Sequence, residues 1–177
     1  MTSNAVIFDA SFLLMLLDPD AGIPHDFATG KPIELAKERI DGLIEQLTKD
    51  RKVVAIPAPA FSEILMGAGN DIEKYAEALS GYRAIKILPF DQKAAIELAL
   101  MHGNDLSRAK KRDATITHAK LKYDWQIIAI AKSENIKIIY THDKELAKQA
   151  KNHEIETILL SEVVIPASKK QHNLKFE

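Results

Sequence analysis

Asp9 interrupts the apolar run AVIFDASFLLMLL, Asp124 heads DWQIIAIA, and Asp143 follows KIIYTH. Each is trailed by apolar residues at helical spacing: Phe12, Leu13 and Leu16; Ile127, Ile128 and Ala131; Leu146, Ala147 and Ala150. That phase sets each carboxylate at the start of a core-facing stripe rather than on an outer helix face. An ionised carboxylate at such a place is costly unless something pairs with it. Several together repel one another and resist ionisation, unless a divalent cation compensates. Holding a hard cation is therefore the chemistry these positions offer. The structural alternative is equally concrete. Aspartate is a favoured helix N-cap, worth about 1 kcal/mol, and it suits the positive end of the helix dipole. Asp91, in LPFDQKAAIELAL, has the same phase with Ala94, Ala95 and Leu98, so spacing alone does not separate a ligand from a cap. Glu63, in PAFSEILMG, lies opposite the stripe of Phe61, Ile64, Leu65 and Ala68, and taken alone reads as a solvated helix residue.

The elements that must position these acids are short strands alternating with longer helices. AVIF (5–8), KVVAI (52–56), AIKIL (84–88), KIIY (137–140) and ETILL (156–160) read as strands, rich in Val and Ile and bounded by polar or Pro-containing joints. Between them lie helical patterns: ELAKERIDGLIEQLTKD, PAFSEILMGA, DIEKYAEALSGY, DQKAAIELALMHG, DWQIIAIAKSEN and DKELAKQAKN. This alternation predicts an α/β fold, a three-layer α/β/α arrangement around a mostly parallel five-stranded sheet. In such a sheet the C-terminal ends of the strands and the N-termini of the following helices share one edge, where ligands bind. Asp9 closes the first strand, Asp143 follows the fourth, Asp124 is expected to open its helix, and Glu63 lies in the helix after the second strand. One domain is expected over 1–165, with a polar tail over 166–177. Two stretches stand apart. DPDAGIPHDFATGKPI (18–33) reads as a long surface loop, and NDLSRAKKRDATITHAKLKYD (104–124) is basic.

Composition narrows the class. The chain has 177 residues and 46% hydrophobic content, enough for a sizeable core. Lys plus Arg (24) nearly balance Asp plus Glu (25), so any nucleic-acid contact must come from a local patch. With no cysteine, disulfides, thiolate catalysis and cysteine-ligated zinc are excluded. No apolar run approaches the roughly 20 residues that span a bilayer, and no signal peptide is legible, so the expectation is a cytoplasmic protein.

The order AVIFDASFLL, PAFSEILMG, DWQIIAIAKSENIKIIYTHDKEL resembles the PIN-domain family of metal-dependent ribonucleases, which includes VapC-like toxins of toxin–antitoxin pairs. The likeness runs from about Ala5 to Leu160. It rests on Asp9 with Ser11 two positions on, the Ser62–Glu63 pair, the helix from Asp124 to Ala131, and Thr141 with Asp143. The resemblance implies an acidic quartet of Asp9, Glu63, Asp124 and Asp143 holding Mg²⁺ or Mn²⁺ for phosphodiester hydrolysis. Asp9 and Asp143 would bind directly; Asp124 and Glu63 would complete the cage through water. Ser11 and Thr141 would orient ligands or hold water, with a plain turn or capping role as the alternative. Asp91 falls outside the quartet. Arg108, Lys110, Lys111, Arg112, Lys120 and Lys122 precede Asp124 and are candidates for RNA phosphates, or else an ordinary solvated helix face. Tyr123 and Trp125 could stack a base, although core packing suits them at least as well. The loop at 18–33 and the basic stretch depart from the compact toxins.

Implied partners are an RNA substrate, an antitoxin protein and, from the apolar surface of ASFLLMLL, a second copy of the chain. A catalytically silent scaffold that binds RNA or protein is the alternative from another class. A haloacid-dehalogenase-like phosphatase also starts with a strand ending in Asp, but wants a second Asp where Ser11 stands.

Overall fold

The computed structural model describes residues 4–18, 21–105 and 118–167. Its elements run β1 (Ala5–Phe8), α1 (Ala10–Leu17), α2 (Ala36–Lys49), β2 (Val53–Pro57), α3 (Ala58–Gly67), α4 (Ile72–Ser80), β3 (Ile85–Leu88), α5 (Gln92–Asp105), α6 (His118–Ser133), β4 (Ile138–Thr141), α7 (Lys144–Lys151) and β5 (Glu156–Leu159), with single 3-10 turns at Gly69–Asp71 and Leu160–Glu162. All five expected strands form, within a residue or so of the expected bounds. They make one parallel sheet in the order β3-β2-β1-β4-β5.

The period-two alternation of the strands separates two cores. Val6 and Phe8 of β1 and Val54 and Ile56 of β2 face α1, α2 and α4, whereas Ile7, Ala55 and Ile139 face α5, α6 and α7. The sheet is thus covered on both sides, as a parallel sheet requires. The expected three-layer α/β/α architecture is what forms.

Three boundaries correct the sequence reading. The second strand extends through Pro57, which sits at its last position beside Leu88, where a missing N–H costs little. More consequentially, α6 starts at His118, six residues upstream of Asp124. Asp124 does not open its helix. The stretch HAKLKY carries no Gly or Pro and consists largely of good helix formers, so the helix propagates through it. A further helix edge is displaced at α2, where Leu35 takes a left-handed φ of 53° and delays the start to Ala36.

The chain builds β1, β2 and β3 outward on one side, then returns to place β4 on the other side of β1. Between β1 and β4 the winding reverses, leaving a crevice outside the strands' carboxyl ends. Beneath it, Phe8, Phe12 and Tyr140 pack with ring centroids 5.4–5.7 Å apart, pinning β1, α1 and β4 together.

Candidate acidic active site

Asp9 is the first residue beyond β1, and its N–H donates to the Tyr140 carbonyl at 3.2 Å, continuing the ladder towards β4. Its backbone is extended, and its side chain caps α1: Oδ1 accepts from the Phe12 N–H at 3.1 Å. Oδ1 also accepts from the Ser11 hydroxyl at 2.6 Å, and Oδ2 accepts from the Thr141 hydroxyl. Those hydroxyls are themselves acceptors. Ser11 Oγ receives the His142 N–H at 2.7 Å and Thr141 Oγ1 the Asp143 N–H at 2.8 Å. The turn from β4 into α7 is therefore tied through two hydroxyls to a single carboxylate on the neighbouring strand. Residues 132 positions apart in sequence are fixed relative to one another by this network.

Asp143 caps α7, accepting at Oδ1 from the Glu145 N–H at 2.8 Å and the Leu146 N–H at 3.2 Å. Both expectations for Asp9 and Asp143, cap and core-edge acid, are thus met by the same side chains. Asp124 differs. It lies within α6 rather than at its N-terminus and is only 6% exposed, so capping does not account for it. Glu63 is exposed on α3, as its helical phase implied.

All four carboxylates line one cleft of about 390 Å³. Ser11 joins them, and Met66, Tyr123, Ile127, His142 and Leu146 complete the walls. Thr141 is fully buried behind Asp9. A larger hollow of about 650 Å³ lies between α2 and the segment from Ile158 to Ala167, but there Lys49 stands among its acids and much of the lining is apolar.

Burial of Asp9 pushes its carboxyl up to about 6, and nearby Asp143 adds to the rise, while the bonds from Ser11, Thr141 and Phe12 oppose it. Even with three donors, the negative charge here is under-compensated. A cation in the cleft would relieve it. The four carboxylates, with no thiolate and a single imidazole beside them, suit a hard oxygen-seeking ion. Among the described residues no three acids or histidines are drawn close enough to clasp an ion by themselves.

Several sequence expectations fall elsewhere. Trp125 is 3% exposed and packs edge-on against His153, so it offers no face to a base. Tyr123 is 42% exposed and sits on the cleft wall. Asp91 accepts from the Ala94 N–H at 3.0 Å and does not reach the cleft. Arg108, Lys110, Lys111 and Arg112 lie outside the described residues, as do the side chains of Lys120 and Lys122 and the tail after Ala167. Most of ASFLLMLL is covered within the chain, with Phe12, Leu13 and Met15 buried and Leu14 exposed. No helix among the described residues is long and apolar enough to cross a membrane.

One element of the cleft was not foreseen. The described part of the 18–33 loop closes as a small hairpin against His142. The His142 Nε2–H donates to the His25 carbonyl at 3.0 Å, and the Phe27 ring stacks on the imidazole at 4.4 Å and 12°. These partners are more than a hundred positions apart, and no local pattern announces the contact.

The family model for the PIN domain matches residues 6–152. No curated protein sequence matches. Among solved structures, the chain is similar to DNA-bound VapBC from Salmonella typhimurium, at 14% identity and TM-score 0.55 over 90% of this chain and 99% of that one. It is similar to FitAB bound to an IR36 DNA fragment, at 18% identity and TM-score 0.56 over 88% and 95%. VapBC2 from Rickettsia felis, bound to a promoter fragment, gives 13% identity and TM-score 0.57 over 88% and 98%. At these identities the structural likeness bears on the fold.

Proposed function

The chain belongs to the PIN domain family, and on that premise we propose that it is a metal-dependent ribonuclease whose cation is held by Asp9, Glu63, Asp124 and Asp143. The observation that carries this reading is the convergence of four carboxylates, from the N-caps of α1 and α7 and from within α3 and α6, on one cleft at the point where the sheet's winding reverses. Asp9 and Asp143 are the direct ligands; Asp124 and Glu63 act through water. When bound, Mg²⁺ or Mn²⁺ supplies an activated water and neutralises phosphate charge.

The chain's own residues do the positioning. Thr141 and Ser11 fix both oxygens of Asp9 and, by accepting from the Asp143 and His142 amides, hold the Asp143 turn in register with it. Each oxygen of a carboxylate accepts at more than one lone pair. Asp9 Oδ2 therefore keeps acceptor capacity after binding Thr141. Asp124, buried on α6, brings a further carboxylate to the cleft from within its helix. The basic stretch before it, with Arg108, Lys110, Lys111, Arg112, Lys120 and Lys122, would meet substrate phosphates.

An antitoxin partner belongs to the same proposal. The similar solved structures are VapBC and FitAB complexes, and their fold covers 88–90% of this chain. A homodimer is also part of it, supported by exposed Leu14, Met66, Ile72 and Tyr82 on or beside α1, α3 and α4. The test incubates purified protein with cellular RNA in Mg²⁺, in Mn²⁺ and in chelator. Cleavage in either metal and none in chelator is expected; identical RNA patterns in all three would refute the reading.

A further inference from the structure

The hairpin at 24–33 lies in the 18–35 connection between α1 and α2 and supplies none of the carboxylates of the acidic cleft. Connections longer than about 12–15 residues are commonly functional. This one is built to be stiff. The Ile33 N–H donates to the Pro24 carbonyl at 2.9 Å, and the Asp26 N–H donates to the Lys31 carbonyl at 2.8 Å. His25 and Pro32 form an antiparallel bridge. Asp26 Oδ1 gathers the Ala28 and Thr29 amides and the Thr29 hydroxyl at 2.8–3.1 Å, and Gly30 takes a φ of 67° that closes the tip. Ile33 is buried in the core and roots one end.

What this frame presents is Phe27. One face of its ring covers His142, which lines the cleft beside Asp143, yet the side chain remains 41% exposed. An aromatic recruited only to anchor a loop would be expected to bury both faces. His142 is in turn immobilised: its Nε2–H is held by the His25 carbonyl and its backbone N–H by Ser11. The pair is a pre-set two-ring stack, one ring in the cleft wall and the other open to solvent, and base–aromatic stacking needs little else.

We propose that Phe27, stacked on His142, is a binding platform for an unpaired nucleobase next to the phosphodiester that enters the acidic cleft. The proposal rests on the nuclease reading for its choice of ligand, and it makes the substrate a single strand at that position, since a base inside a duplex has both faces stacked on its neighbours. Such a contact contributes about 5- to 100-fold in affinity.

The experiment uses the full chain and short single-stranded RNAs carrying a fluorescent purine analogue at successive positions, with binding and cleavage read separately in Mn²⁺. Quenching on binding at one position is expected for the wild type, together with about 5- to 100-fold weaker binding by Phe27→Leu. Phe27→Trp should restore both signals. Replacing the quenched nucleotide by an abasic one should weaken the wild type and leave Phe27→Leu unchanged. RNA that binds with quenching but is not cut retains the platform and removes the nuclease reading. RNA that is cut equally by wild type and Phe27→Leu, with the same quenching, overturns the platform and retains the nuclease. No binding of single-stranded RNA by the wild type overturns the platform as well.

Discussion

Asp9 and Asp91 begin alike. Each follows a strand, each caps the next helix through a backbone N–H three residues on, and each heads an apolar stripe. They also lie at the same carboxyl edge of a parallel sheet. Asp91, however, follows β3 at the margin of the sheet and is exposed, whereas Asp9 follows central β1 and is 4% exposed. Central placement gives Asp9 a neighbour on the reversing side, β4, whose last residue donates a hydroxyl to it and whose following turn delivers Asp143. The margin gives Asp91 nothing comparable among the described contacts. A local pattern makes a cap; its address in the sheet decides whether that cap also meets the other acids.

The largest expected contrast between the two is in catalysis. Asp9→Asn or Asp143→Asn should lower Mn²⁺-dependent RNA cleavage by about 100- to 1000-fold or more, as removal of a charge-stabilising group does. Asp91→Asn should leave the rate within about twofold, as a change away from any site does. Asp124→Asn should behave like Asp9→Asn although it sits in mid-helix. A single-turnover assay with protein in excess decides. Retention of wild-type cleavage by Asp9→Asn would dissolve the comparison.

Stability should move in the opposite sense. The Asp9 carboxyl is raised from 3.8 to about 6 in the folded chain, chiefly by burial. Between those values the folded state binds more protons than the unfolded one, so this group makes stability fall as pH rises. The penalty is absent below 3.8 and complete above 6, where it reaches about 3 kcal/mol. In chelator at neutral pH, Asp9→Asn should therefore be more stable than wild type by up to that amount, and the gain should vanish as pH falls through the window. Urea titrations across it provide the check, and added Mn²⁺ should erase the wild type's deficit. A pH-independent difference would remove Asp9 as its source.

This opposition between function and stability explains how much was legible in the residues. The sheet was, because Val6, Ile7 and Phe8 alternate between two cores and each strand is short and branched. Asp9 and Asp143 were, because an acid within an apolar run is conspicuous and the hydroxyls of Ser11 and Thr141 stand two positions away. The start of α6 was not. Asp124 looked like a cap because aspartate favours that place, yet nothing in HAKLKY stops a helix, and propagation overrode the local preference. Nor was the Phe27–His142 stack legible, since its geometry depends on a hairpin and a strand turn meeting across the fold.

A smaller effect sharpens the difference by removing only the hydroxyl link. Thr141→Val preserves shape but leaves the Asp9 carboxylate one donor short and the Asp143 amide without its acceptor. The Asp9 carboxyl should rise further, so protons compete more strongly with metal. Partners of this kind contribute about 10- to 100-fold in metal affinity or activity. The Mn²⁺ concentration for half-maximal cleavage should increase by that order, more at acidic than at neutral pH. An unchanged Mn²⁺ dependence would reduce Thr141 to a packing residue.

The smallest effect belongs to Asp91 itself. Asp91→Ala removes the acceptor for the Ala94 N–H and should lower unfolding stability by about 1 kcal/mol, the ordinary worth of a cap. Because Asp91 is exposed and does not line the cleft, Asp91→Ser should recover most of that loss, and neither variant should alter the Mn²⁺ dependence of cleavage. The same pair of substitutions at Asp9 should behave differently: serine can still cap α1, but it brings no carboxylate to the cleft, so capping returns without activity. Equal rescue of cleavage by serine at position 9 would mean that the first strand's acid, like the third's, serves only its helix.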